Sequence, residues 1–186
     1  SFFFLKFHSN ESTQLDEATV RETLVSFHND WKKAFDFFNW VESHHNFPHS
    51  TATYNSILDI LAKYFEFDLC WDLIHLMRQN PHSQPNHATF RLMFNHYASA
   101  HAVDDALSTF HCLSQFNLKD LHSYSIYMDI LCKSGKSWKA VKLYKNLKSQ
   151  GIKLDVVVHN IVIHAIGLSR GVDFSIRVFN EMSQVW

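Results

Sequence analysis

Fourteen histidines and three cysteines invite a metal or catalytic reading, so their spacing is the first thing to weigh. His44 and His45 are adjacent, which on a helix turns them about 100° apart and leaves them poorly placed to share an ion. The His111-Cys112 pair has no second pair at zinc-ligand spacing. Cys70, Cys112 and Cys132 are odd in number and fall at core-type helical positions, which predicts reduced, buried thiols rather than disulfides. The chain has no G-x-x-x-x-G-K-[ST], no G-x-G-x-x-G, no H-E-x-x-H and no EF-hand loop. No general acid/base pair or nucleophile stands out. These residues predict no enzyme, no cofactor and no metal. What does recur is a polar residue behind a ring: Tyr54-Asn55, Phe90-Arg91, Tyr124-Ser125 and His159-Asn160, at spacings of 36, 34 and 35 residues.

Helices must position them. Within 121–155, Tyr124, Tyr127, Met128 and Leu131 fall at i, i+3, i+4 and i+7, one face of an α-helix. Gly135 interrupts, and Ala140, Val141, Tyr144 and Leu147 resume the period up to Gly151, placed as a C′ glycine. Two helices of this length cannot bury an apolar stripe alone and need copies on either side. The chain supplies them. A small residue recurs at Cys70, Ala106, Ala140 and Ser175, a large one at Ile74, Phe110, Tyr144 and Phe179, and a third apolar one at Met77, Leu113, Leu147 and Met182. Ala34, Phe38 and Val41 fit the same places in an earlier, diverged copy. The expected fold is all-α: a right-handed α-solenoid of helix–turn–helix repeats.

The units read as a diverged first repeat at 15–50, repeats at 51–86, 87–120 and 121–155, and an incomplete one at 156–186. Asp16 and Glu17 suit a helix N-terminus. Trp31, Phe35, Phe38 and Trp40 are expected to cover the open end of the stack as core, with a base-stacking platform as the alternative. The break from Pro81 to Pro85 reads as a linker. Residues 1–14, SFFFLKFHSNESTQ, have no repeat signature and read as a lead-in: a targeting remnant, a cut edge or a strand-like segment. Their lack of Arg argues against an intact transit peptide. A first residue other than Met and a last unit four residues short of 35 predict that the protein continues beyond both ends.

Composition fits a folded, mostly helical chain, with 46% hydrophobic and 19% charged residues. The longest apolar run, Ile161 to Gly167, is far short of the ~20 residues that span a bilayer. The net charge of −1 argues against an indiscriminate polyanion binder, so any nucleic-acid function must rest on a local surface.

The opening aromatic-polar pair, the run DILCKSGKSWKAVKLYKNLKSQGIKLD at 129–155 and its closing Gly-Ile-Lys-x-Asp resemble the pentatricopeptide repeat family. The Trp/Leu-Gly/Tyr signature of the related tetratricopeptide repeat is absent. The resemblance covers 51–186 well and 15–50 loosely, and is to plant organellar members with uninterrupted 35-residue repeats. It implies single-stranded RNA binding, about one base per repeat, in organellar transcript processing, splicing, stabilisation or translation. It implies a mitochondrial location, with the chloroplast as the alternative, and protein partners in RNA processing. First helices line the binding face. The residue after the opening aromatic, paired with the last residue of the repeat, chooses the base.

Carried over to this chain, those pairs are Asn55 with Asn86, Arg91 with Asp120 and Ser125 with Asp155. Asn160 has no partner, and Thr19 with Ser50 fits poorly. Asn/Asn and Asn160 imply a pyrimidine and Ser/Asp a guanine; Arg91/Asp120 has no clear reading. Ala52, Ala88, His122 and Val157 would sandwich each base, and Lys63 and Lys133 would contact the backbone. Lys119 and Leu154 replace the family's proline before the closing residue, and His159 replaces the opening Tyr, which weakens the fifth repeat's assignment. The rival expectation is a protein–protein scaffold that uses the groove for a partner helix.

Overall fold

The computed structural model describes residues 15–170 together with Ile176 and Asn180. Among the described residues there are nine α-helices and no strand: α1 (Glu17–Ser26), α2 (Trp31–His45), α3 (Thr51–Lys63), α4 (Phe67–Gln79), α5 (His87–Ser99), α6 (Val103–Cys112), α7 (Leu121–Lys133), α8 (Ser137–Ser149) and α9 (Val156–Arg170). A 3-10 turn, Leu113–Phe116, extends α6. Among the described residues no helix is long and apolar enough to cross a membrane. The lead-in at 1–14 and the fifth repeat's Ser175, Phe179 and Met182 lie outside the described residues.

The chain divides into two compact units, Ser1–Gln84 and Pro85–Trp186. In the first, α3 packs against α1, α2 and α4. In the second, α7 packs against α5, α6, α8 and α9. Each central helix is a first helix of a pair, enclosed because a two-turn stripe needs neighbours to cover it. The recurrent second-helix positions are all core: Ala34, Cys70, Ala106 and Ala140 are completely buried, and Phe38, Ile74, Phe110 and Tyr144 nearly so. The small residue lets the paired helices approach, and the large one fills the space beside it. In α7, Tyr127, Met128 and Leu131 are buried as the period predicts, while Tyr124 is half-buried. Phe38 is buried, and Trp31, Phe35 and Trp40 are half-buried. Cys70 and Cys132 are buried free thiols; Cys112 is half-buried. Desolvation pushes the Cys70 thiol up to about 12 and that of Cys132 up to about 11, so neither is a ready nucleophile.

One ring contact recurs between consecutive pairs. Tyr54 meets Phe38 edge-on at 5.2 Å, Tyr124 meets Phe110 at 5.0 Å, and His159 meets Tyr144 at 5.6 Å. In each case the opening ring of one pair docks on the large second-helix residue of the pair before it. Such pairs contribute about 0.5–1.5 kcal/mol beyond area burial. His159, a departure from the expected Tyr, keeps the same contact. The helices also stop in a common way. After α3, α5 and α7, Phe65, His101 and Gly135 take left-handed backbone (φ 64°, 56° and 72°). In each case the next N–H bonds five residues back, to Leu61, Tyr97 and Leu131. That is a Schellman closure, which normally asks for glycine and has it only once.

Candidate nucleic-acid interface

Five first helices begin alike. Asp16, Ser50, Asn86, Asp120 and Asp155 each accept a hydrogen bond from the backbone N–H three residues on, those of Thr19, Thr53, Thr89, Ser123 and Val158, at 2.7, 3.2, 3.1, 2.9 and 2.9 Å. This is N-capping: a short polar side chain satisfies an amide that the helix leaves without an intrahelical acceptor. At Asn86 and Asp120 the box is reciprocal, because their own N–H groups donate to Thr89 Oγ1 and Ser123 Oγ. The residues expected to close each repeat and help choose a base, Asn86, Asp120 and Asp155, are therefore helix caps first. Each commits one oxygen to the fold.

The first residue of the preceding first helix reaches the same boundary. Ser50 Oγ donates to Glu17 Oε1 at 2.6 Å, Thr51 Oγ1 donates to the Gln84 carbonyl at 3.0 Å, and His87 Nε2 lies 2.9 Å from Asp120 Oδ2. His122 crosses the His87 ring edge-on at 5.2 Å. Desolvation pushes the Asp120 carboxyl up, but the Ser123 amide and the adjacent His87 and His122 outweigh it and hold it below the ordinary carboxylate value. Both oxygens of Asp120 thus have neighbours within the protein.

The expected base-facing positions sit one turn into these helices. Ala88, His122 and Val157, each the second helical residue, are exposed, and Ala52 is half-buried. At the fifth helical residue, Arg91 and Asn160 are exposed and Asn55 is half-buried. Ser125 differs. It is 5% exposed, and its hydroxyl donates to the His122 carbonyl at 2.7 Å. The first pair has a register that sequence spacing missed. Counting from its cap Asp16, the fifth helical residue is Arg21, not Thr19, and Arg21 Nε donates to Ser56 Oγ of α3 at 3.4 Å. The signal was available: Asp16 stands 34 residues before Ser50.

Lys63 and Lys133 are the last residues of α3 and α7. Eleven helical steps separate each from the second residue of its helix, about 16 Å at 1.5 Å per residue. Lys63 Nζ donates to the His28 carbonyl and to Asn29 Oδ1, both at 3.2 Å, tying α3 to the α1–α2 turn. Lys133 pairs with Asp129 one turn back. The caps and base-facing residues share one helix end, and these two lysines do not join them there. Among the described residues no cluster of three His, Cys, Asp or Glu side chains is placed to hold a metal.

Two family models match the chain: the PPR repeat family over residues 119–167 and the PPR repeat over residues 52–82. A mitochondrial pentatricopeptide repeat-containing protein of Arabidopsis thaliana is 40% identical over 215 residues, covering 75% of this chain and 48% of that protein. A second mitochondrial one from the same plant is 31% identical over 180 residues, covering 89% of this chain and 29% of that protein. The chain thus spans half or less of the length of these relatives. Among solved structures, the pentatricopeptide repeat protein PPR10 from maize superposes with a TM-score of 0.73 at 22% identity, covering 98% of this chain and 26% of that one. PPR10 in complex with an 18-nt psaJ RNA element superposes with a TM-score of 0.67 at 17% identity, covering 94% and 29%. That likeness is one of fold: an all-α helical repeat.

Proposed function

The chain belongs to the pentatricopeptide repeat family, and from that premise we propose that it binds single-stranded RNA along the amino ends of its first helices, about one base per repeat. One observation carries the reading. The same constellation recurs at each first-helix start: a polar cap, an exposed or half-buried second residue, and a fifth residue that is polar. Ala52, Ala88, His122 and Val157 would pack against base faces. Asn55 with Asn86 would present amides to a pyrimidine, and Asn160 would present its own amide to a pyrimidine three repeats on. Arg91 would supply a cation to a base edge or a phosphate. Ser125, with its hydroxyl held by the helix, would leave room for a base more than read it. Lys63 and Lys133, at the far helix ends, are assigned to the RNA backbone.

The activity is recognition of a transcript, which protects it or guides its processing, splicing or translation. The mitochondrion is the compartment, as for the Arabidopsis relatives. The test is binding to randomised short RNA pools by the wild type and by an Arg91→Ala/Asn160→Ala variant. Base contacts of this kind contribute roughly 1–3 kcal/mol each, so the variant is expected to lose about tenfold or more in affinity. It should also lose base preference at two positions of the bound RNA. Equal affinity and equal preference in the two proteins would overturn the reading.

A further inference from the structure

Within the second unit, α6 and α8 stand apart over α7 and leave a groove of about 500 Å3. Tyr127 and Leu131 form its floor, and Leu107 and Leu143 line its two sides. Trp138 stands on its lip with 57% of its surface exposed. Lys139 and Lys142 line the α8 side, and no carboxylate lines the groove. The charge on its α8 side is basic: seven lysines and no Asp or Glu occur from Ile130 to Leu154, in a chain whose net charge is −1, while on the α6 side Asp104 is near enough to act on Tyr127. The lining residues of α8 run from Trp138 to Asn146, a length of about 12 Å. That accommodates two turns of a helix presenting apolar residues at i, i+3, i+4 and i+7.

We propose that this groove docks an amphipathic helix of a protein partner. Its apolar stripe would lie on Tyr127, Leu131 and Leu143, and its acidic flank would meet Lys139 and Lys142. A nucleic acid would satisfy the lysines but leave the apolar floor and sides unused, which is why the geometry favours a helix. The surface is separate from the amino ends of the first helices, where the RNA reading places the bases, so the two readings are tested by different variants.

The experiment is calorimetric titration of the chain with three synthetic probes. One is a 14-residue peptide with Leu at i, i+3, i+4 and i+7 and Glu on its other face. The second has the same composition scrambled to destroy the stripe, and the third is oligouridylate. The striped peptide is expected to bind saturably and at least tenfold more tightly than the scrambled one. Lys139→Glu/Lys142→Glu should abolish that binding. Trp138→Ala should weaken it by roughly tenfold, as for an exposed aromatic side chain that the bound partner covers. Thermal melts of each variant check folding, and Lys142→Gln, at an exposed site, replaces the double variant if that one melts early. Equal binding of the striped and scrambled peptides, or striped binding that survives in the charge variants, overturns the proposal. So does oligouridylate that displaces the peptide and is itself lost in the charge variants, which would assign the surface to nucleic acid.

Discussion

At His49 an ionisable ring is held where it cannot ionise cheaply. It is 3% exposed, lies flat on Phe38 at 3.7 Å, and its Nε2–H donates to the Phe38 carbonyl at 3.1 Å. Desolvation lowers its pKa from 6.5 to about 4, against a smaller opposing effect of that hydrogen bond. The unfolded chain therefore binds a proton that the folded chain refuses. The resulting stability is fully present above about pH 6.5 and is lost as pH falls toward about 4, by on the order of a few kcal/mol. Urea midpoints at pH 7 and pH 5 should fall steeply for the wild type and less for His49→Phe; parallel curves would refute this. His49 was not legible as special, because nothing in Phe-Pro-His-Ser says which of fourteen histidines is enclosed. Asn86 and Asp120 were legible as polar residues at a boundary. Their capping role was not, since a capping oxygen and a base-reading oxygen belong to the same residue types.

The helices themselves were plain in the sequence. A 3.6-residue period with a small and a large residue in fixed register states both the element and the face it buries, and every such position among the described residues is core. How the first helices stop was less plain. Gly135 advertises a left-handed residue, whereas Phe65 and His101 occupy the equivalent place without its freedom. Left-handed backbone costs a side chain roughly 1–2 kcal/mol, partly offset by glycine's larger unfolded-state entropy. His101→Gly, at an exposed site, is therefore expected to raise stability by about 0.5–1 kcal/mol. Gly135→Ala should lower it by about 1 kcal/mol from strain alone, since a Cβ there meets no other atom within 4 Å. Chemical denaturation of the two variants reads both signs at once, and a shift of the same sign in both would contradict the account.

Over the whole chain the charge sums to −1, and that sum hid a lysine-rich stretch because the acids that balance it lie elsewhere in sequence. Proposed RNA contacts draw on few cations: Arg91, Lys63 and Lys133. At about −0.7 per phosphate neutralised on a single strand, the log–log salt slope of RNA affinity should be no steeper than about −2. It should be unchanged in Lys139→Glu/Lys142→Glu; a slope that flattens in that variant would move the RNA onto α8. The caps lead to a limit of another kind. A residue that must terminate a helix and also read a base is drawn from the few that cap well, essentially Ser, Thr, Asn and Asp. Four letters carry about two bits, however many amino acids the genetic code offers. The vocabulary available to such an array is thus set by how its helices begin, before any RNA arrives.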